Sequence, residues 1–390
     1  MRYDFDRIID RKNTCSLKWD CYDRYFGEKE LLPMWVADMD FAAPEEVIDA
    51  LTDKARFGIY GYTEAGENYY LAAIDWLKRK HNWIVEREWL HFSPGVVPAL
   101  HWLVKIFTEP GDKVILQPPV YYPFFNAISN GDCQIVNNPL KLDDGLYSID
   151  FDDLEKKIDG KVKMLFLCSP HNPGGIVWDK EDLEKLGSIC MDNDVMVISD
   201  EIHADLTLYG YQHVPFASIS DKFALNSVTC VAPSKTFNLA GLQVSNIIIP
   251  NPDWVEKYKY TLEKNAVSGP NLFAIAAAEA AYNFGDQWLD ELTSYIEGNH
   301  KLVENYLQER IPALKTIKPR ASYLAWIDCR ELGMATDDLK LFMEKRAKLG
   351  LNQGYIFGEG GEGFVRMNLG CSRKLIEEAL NRLEKAINSL

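Results

Sequence analysis

The chain has 390 residues, of which 47% are hydrophobic and 26% charged, with a formal net charge of −16. That length buries a core large enough for two or more lobes, and the composition argues against a disordered chain. The acidic balance argues against nucleic acid and anionic membrane surfaces as partners, since both would repel it.

The N-terminus, "MRYDFDRIIDRKNT", is charged and lacks the apolar run of a signal peptide. No stretch approaches the ~20 apolar residues needed to cross a bilayer. The eight cysteines form no C-x-x-C pair, and several lie inside apolar runs such as "MLFLCS". They read as buried free thiols, which makes a reducing cytoplasm the expected compartment. The seven histidines show no metal-ligand spacing.

In chain order, "APEEVIDALTDKARF" predicts a helix with Pro44 in its first turn. From about residue 90 to 250, short apolar runs alternate with helical patterns. "WLHFSP", "KVILQ", "KMLFLCS", "VMVIS", "SVTCVA" and "SNIIIP" read as strands, while "PALHWLVKIF" and "KEDLEKLGSICMDND" read as helices. This alternation predicts an α/β fold with a parallel or mostly parallel sheet covered on both faces. Beyond residue 250, "NLFAIAAAEAAYNF" and "WLDELTSYIEGNHKLVENYLQERI" predict long helices. From about Lys315, "YLAWIDC" and "GFVRMNLG" read as strands and "TDDLKLFMEKRAKL" and "RKLIEEALNRLEKAI" as helices, a smaller α+β lobe.

Ligands of open α/β sheets sit at the carboxyl ends of the strands. Four marked spots fall there: Gly95, "SPHNPGG" (Ser169 to Gly175), Asp200 and Lys235. A lone lysine is most often a solvated charge. Lys235, however, follows a buried strand between Ser234 and Thr236, where desolvation lowers its pKa and suits it to form a Schiff base with a carbonyl. Asp200 reads either as a helix cap or as the partner of a protonated ring nitrogen. Asn172 lies in a turn by composition, yet an amide there can donate to a phenolate and to a substrate carboxylate.

"SPHNPGG", "SDEIHADL" and "APSKTFNLAGLQ" follow one another at intervals of about thirty residues. In that order they resemble the fold-type I pyridoxal-phosphate enzymes of the class I/II aminotransferase superfamily. The resemblance runs from "LPMWVADMDF" to "FVRMNLGCSR". Within the superfamily, "PMWVADMDF", "YGYTE" and "SKTFNLAGLQ" resemble the MalY/PatB branch of cystathionine β-lyases, or C-S lyases.

That resemblance implies a large domain with a mostly parallel, seven-stranded type of sheet and a smaller α+β domain. The implied boundaries are 1–45 for an N-terminal segment joining the small domain, 46–287 for the large domain and 288–390 for the small one. By the same resemblance, Lys235 would carry the cofactor and Asp200 would pair with its pyridine nitrogen. Asn172 would approach the ring 3-oxygen and, with Ala37, the substrate. Tyr121 would stack on the ring, with Tyr122 as competitor. The backbone amides of Gly95, Val96 and Val97 would bind phosphate at a helix N-terminus, with Ser234 adding a hydroxyl. Tyr62 would reach the site of the neighbouring subunit of a homodimer and assist the chemistry there. Arg366 would clamp the substrate α-carboxylate as a bidentate pair.

Three positions depart from the common aminotransferase pattern: Ala232, Gln243 and His203. Glutamine can hydrogen-bond a phosphate but cannot neutralise it. The lyase branch resembles this chain in both Gln243 and His203. The resemblance therefore implies α,β-elimination from a small amino-acid substrate with sulfur at Cβ. A transaminase, which shares the steps up to Cα deprotonation, is the nearest rival. A regulatory protein-binding role on the same fold is a rival of another class.

Overall fold

The computed structural model describes residues 2–390. Seven strands form the main sheet: β1 (Leu90–Ser93), β2 (Lys113–Leu116), β3 (Gln134–Asn137), β4 (Val162–Cys168), β5 (Met196–Asp200), β6 (Ser227–Val231) and β7 (Ser245–Ile248). Their spatial order is β1-β7-β6-β5-β4-β2-β3. β7 runs antiparallel to both its neighbours, and the pairings from β6 through to β3 are parallel.

The longer helices are α1 (Glu45–Phe57), α2 (Glu67–His81), α3 (Val96–Phe107), α4 (Lys180–Asp192), α5 (Pro252–Lys264), α6 (Leu272–Phe284), α7 (Asp286–Arg310) and α8 (Arg373–Ile387). Pro44 is the residue before α1, with φ −49° and ψ 142°, rather than part of its first turn. Its ring fixes φ, and its extended ψ lets the helix start one residue later. α2 and β3 carry weak sequence signals. β3 is an edge strand that begins and ends on polar residues, so its burial pattern is shallow.

The central strands are apolar on both faces because side chains alternate across a sheet. Met164, Phe166 and Cys168 of β4 join Met196 and Ile198 of β5 in a core shared with α3 and α5. The intervening Leu165, Leu167 and Val197 pack with α4 on the other face. A third core gathers α2, α6 and the start of α7.

The smaller sheet holds β8 (Lys315–Thr316), β9 (Leu324–Asp328), β10 (Asn352–Gln353) and β11 (Phe364–Asn368), in the order β8-β9-β11-β10. Val365 and Met367 of β11 face a core built with α8. Alternation therefore turns Phe364 and Arg366 the other way, toward the main sheet, and Phe364 joins the α4-side core. α7 begins in the large core, with Trp288 and Leu292, and ends in the small one, with Val303 and Leu307.

No described helix is long and apolar enough to cross a membrane. All eight cysteines are free, and five are buried. Cys15 is exposed, contrary to the reading of the set as buried thiols, because it lies in a surface turn at φ 64°.

Residues 36–41 cross between the lobes and are tied down by charge. Lys18, almost wholly buried, donates to Asp40 at 2.8 Å, and Arg11 bridges Asp38 and Asp40 at 2.7 Å each. Burial alone would raise the Asp40 carboxyl; Lys18, Trp19 and Arg11 outweigh it and hold the group below its ordinary value. Asp40→Ala strands the Lys18 charge and is expected to cost about 3 kcal/mol, measured by urea unfolding. Because the folded value is depressed, the contribution is complete above about pH 4 and is lost as pH falls through the folded value. Parent and variant should converge in acid.

Candidate active site

A cavity of about 200 Å³ opens at the carboxyl ends of the parallel strands. Ala37, Gly95, Val96, Val97, Tyr121, Asn172, Asp200, His203, Ser234 and Lys235 all line it. Residues from six separate stretches thus meet where the strand-end rule expects a ligand. Two expected residues lie outside that wall. Arg366 sits behind it, bonded to Asn172. Tyr62 is fully exposed on residues 58–66, a stretch without regular structure, and does not reach the cavity of its own chain.

Lys235 stands on a single helical turn, Pro233–Thr236, directly after β6. Thr236 anchors that turn by donating its hydroxyl to the largely buried Asp205 at 2.7 Å; the Asp205 side chain is 10% exposed. The Lys235 ammonium donates to the Ala37 carbonyl at 2.6 Å. Burial, then the charge of Arg366, brings its pKa down to about 8, against the opposing pull of Asp38 and Asp200. A substantial fraction of the amine is therefore neutral near physiological pH.

Asp200 is the last residue of β5 and is buried. Burial raises its pKa to about 7, while the Ile202 amide, donating at 3.2 Å, and Lys235 pull the other way. A carboxylate this poorly compensated favours a cationic partner inside the cavity.

Arg366 is buried, and its hydrogen-bond acceptors are all neutral: Asn172 Oδ1 at 3.0 Å, Trp35 O at 3.0 Å and Asn352 Oδ1 at 2.7 Å. Its Nε has no partner among the described residues. The Phe357 ring lies 5.0 Å from the guanidinium carbon. A buried cation held only by dipoles is short of an anion, and a substrate carboxylate supplies one.

The N-terminus of α3 has no side-chain cap, so its first amides are left for a ligand at the positive end of the helix. Asn172 is held by the turn of "SPHNPGG", in which Gly175 has φ +63°, and a Cβ there would lie 2.9 Å from the Ala321 carbonyl oxygen. Only glycine fits that close approach. His203 is buried, and its Nδ1 lacks a partner among the described residues. Burial, Lys235 and Arg366 lower its pKa to about 3, so it stays neutral. Of the two adjacent tyrosines, Tyr121 lines the cavity and Tyr122 packs edge-on against Phe357 at 5.9 Å.

The donor set fits pyridoxal phosphate: a low-pKa amine, a buried carboxylate across from it, uncapped helix amides and an aromatic wall. Gln243 is exposed, at φ 58°, and is not part of the cavity wall. A phosphate at α3 would thus rest on amide dipoles and hydroxyls. Sequence reasoning missed Cys168 and Ile202 on the wall, Asn352 and the Trp35 carbonyl on Arg366, and Tyr323, whose hydroxyl donates to the Ala37 carbonyl at 3.0 Å. Cys168 and Ile202 adjoin marked motifs. Trp35 and Tyr323 lie in the quoted stretches "LPMWVADMDF" and "YLAWIDC", which gave no hint of these contacts, and Asn352 carries no local signal.

Comparison with known proteins agrees with this geometry. The model of the family "Aminotransferase class I and II" matches residues 29–383. Cystathionine beta-lyase PatB of Bacillus subtilis is 48% identical over 385 residues, covering 98% of this chain and 100% of that protein. The structure of cystalysin from Treponema denticola, which contains pyridoxal 5'-phosphate, superposes with a TM-score of 0.96 at 42% identity, over the whole of both chains. The PLP-bound C-S lyase from Staphylococcus hominis superposes at 0.92 with 34% identity, covering 99% of this chain and 98% of that one. With its lysine and carboxylate at the strand ends of the main sheet and its arginine reaching them from the smaller sheet, the chain belongs to the class I and II aminotransferase family, in the branch that holds PatB.

Proposed function

We propose that the protein is a pyridoxal-phosphate-dependent carbon–sulfur β-lyase. It cleaves the Cβ–S bond of L-cystathionine and related S-substituted cysteines, and water completes the conversion to pyruvate, ammonia and a thiol. The observation that carries an amino-acid substrate is the buried Arg366, whose partners are all neutral, bonded to Asn172 on the cavity wall. Kinship with PatB and with the C-S lyase of S. hominis supports elimination as the outcome.

Bound in the cavity, the cofactor supplies an electron sink for charge that develops at the substrate Cα. Arg366 takes the α-carboxylate through its two-pronged guanidinium, and the Asn172 amide orients beside it. Asp200, a buried carboxylate, would pair with the ring nitrogen and favour its protonated form. Lys235, with its amine freed, removes the Cα proton as general base. It then holds that proton within reach of the departing sulfur, and Tyr62 of a second copy is a further donor. Neutral His203, by the family resemblance, would stand near the ring 3-oxygen without adding charge. A division of the chain near residue 288 places Lys235 and Arg366 on different domains, so the substrate would bridge the two.

We place the enzyme in the cytoplasm as a homodimer. Free thiols, five of them buried, suit a reducing compartment. Phe57, Ile59, Tyr60 and Tyr62 together expose an apolar and aromatic run next to α6, where the Tyr60 ring lies 5.9 Å from that of Phe273, a surface that a second copy would cover. Mixing Tyr62→Ala with Lys235→Ala subunits is expected to restore activity to about a quarter of the parent's, because half the dimers are mixed and each has one intact site. Complementation no higher than the residual activity of either variant would rule out a Tyr62 that works across subunits.

The direct test is purified protein with pyridoxal phosphate and L-cystathionine, with no keto acid added. Pyruvate and free thiol are expected in equal amounts. Conversion of the cofactor to its amine form without pyruvate would overturn the lyase reading in favour of transamination.

A further inference from the structure

The Ala37 carbonyl accepts two hydrogen bonds, from the Lys235 amine at 2.6 Å and from the Tyr323 hydroxyl at 3.0 Å. Asn368 donates its amide to the carbonyls of Val36 and Asp38 on either side. Asn238, three residues beyond Lys235, accepts from the Met39 amide and donates to the Met39 and Phe41 carbonyls, each at 2.9 Å. Arg366 donates to the Trp35 carbonyl, and Arg11 and Lys18 bind Asp38 and Asp40. The carbonyl is thus a fixed point, and the flexible lysine is the part that conforms to it.

Tyr323 is buried at the start of β9, with its ring 6.3 Å from that of His203. We infer that Tyr323 is a positioning residue: by sharing the Ala37 carbonyl, its hydroxyl fixes the direction of the Lys235 amine and limits how strongly that carbonyl holds the amine's charged form. The inference rests on the reading of Lys235 as the cofactor-bearing amine and catalytic base.

The reasoning is electrostatic. A carbonyl oxygen has two lone pairs, and each donor it accepts weakens its attraction for the other. An ammonium gains more from a carbonyl than a neutral amine does. With Tyr323 on the second lone pair, the preference of Ala37 for the ammonium is reduced. The neutral amine, giving one N–H to Ala37, directs its own lone pair away from that carbonyl. The other groups that set the lysine's charge are Arg366, Asp38 and Asp200, with neutral His203 nearby. Burial raises the Tyr323 phenol well beyond its ordinary pKa, so it remains a donor throughout the working range.

The test removes one oxygen. Tyr323→Phe in the full-length chain should raise the pH midpoint for capture of pyridoxal phosphate at Lys235 by about half to one unit. Capture is read by borohydride reduction to a stable secondary amine and by the mass of the Lys235 peptide. In the holoenzyme the acid limb of the kcat profile should move the same way, so that kcat below the limb falls by about threefold to tenfold with KM little changed. Site-specific replacement by a ring-fluorinated tyrosine, a stronger donor of the same shape, should move the midpoint down. Tyr147→Phe, which deletes another buried hydroxyl bonded only to Trp326, should leave it in place.

A loss of stability in Tyr323→Phe with both midpoints unmoved would overturn the inference and leave Tyr323 a packing residue. Should Tyr323→Phe fail to fold, an unmoved midpoint in the fluorinated protein would overturn it equally. Capture at a lysine other than Lys235 in the parent would instead remove the functional reading beneath it, an outcome that peptide mass separates from the others.

Discussion

Lys235→Ala is expected to abolish pyruvate release from L-cystathionine, with kcat lower by at least about 10³-fold. The loss is large because, in the proposed reaction, one amine would serve three tasks: it would attach the cofactor, take the Cα proton and hold that proton for the leaving sulfur. No other amine lines the cavity to replace it, among the described residues. The substitution removes the amine without disturbing its support: the turn Pro233–Thr236 keeps its bond from Thr236 to Asp205, and the Ala37 carbonyl keeps Tyr323. Stability should therefore change little, which a thermal melt checks. In the parent, capture of the aldehyde requires the neutral amine and should rise with pH through about 8. The variant should show no such rise. Elimination that survives in Lys235→Ala at more than a hundredth of the parental rate would contradict the assignment.

Arg366→Met should lower kcat/KM for L-cystathionine by about thirtyfold to several thousandfold, the cost of leaving a buried carboxylate without its charged partner. The effect should fall mainly on KM, because in the proposed reaction Arg366 would meet the substrate, while in the structure it lies behind the cavity wall, bonded to Asn172. Cofactor affinity and absorbance should stay near parental values. Arg366→Lys restores the charge but not the planar fork, and Asn172, Asn352 and the Trp35 carbonyl are placed around a guanidinium. A lysine should therefore recover only part of the loss. An unchanged KM in Arg366→Met would mean that the α-carboxylate binds elsewhere.

The two variants also separate the chemistry from the recognition. If Lys235→Ala is dead while Arg366→Met is active at high substrate, the residues act as assigned. Opposite behaviour would reverse the roles of the two sides of the cavity.

The sequence by itself determined the parts of this site that depend on short-range physics. Alternating apolar runs specify strands buried on both faces, and a polar or glycine-rich residue just past such a run must lie at a strand end. Asp200 after "VMVIS", Lys235 after "SVTCVA" and Gly95 after "WLHFSP" all follow from that rule, and the structure places each in one cavity. Arg366 entered as a candidate only through the family resemblance of "FVRMNLG"; the structure shows its neighbours Val365 and Met367 facing the other way, into the core with α8.

Only the tertiary structure decided what those residues touch. Arg366 meets Asn172 across 194 positions, and Lys235 meets Ala37 across 198. Tyr323 reaches the same carbonyl across 286. Such contacts arise from the docking of one lobe on the other, which no local pattern encodes. The choice between Tyr121 and Tyr122 was settled by which side of one backbone turn faces the cavity. Gln243 had chemistry suited to a phosphate, yet its left-handed backbone leaves it on the surface. Tyr62 is fully exposed among the described residues, and no local pattern in its sequence fixes what it meets.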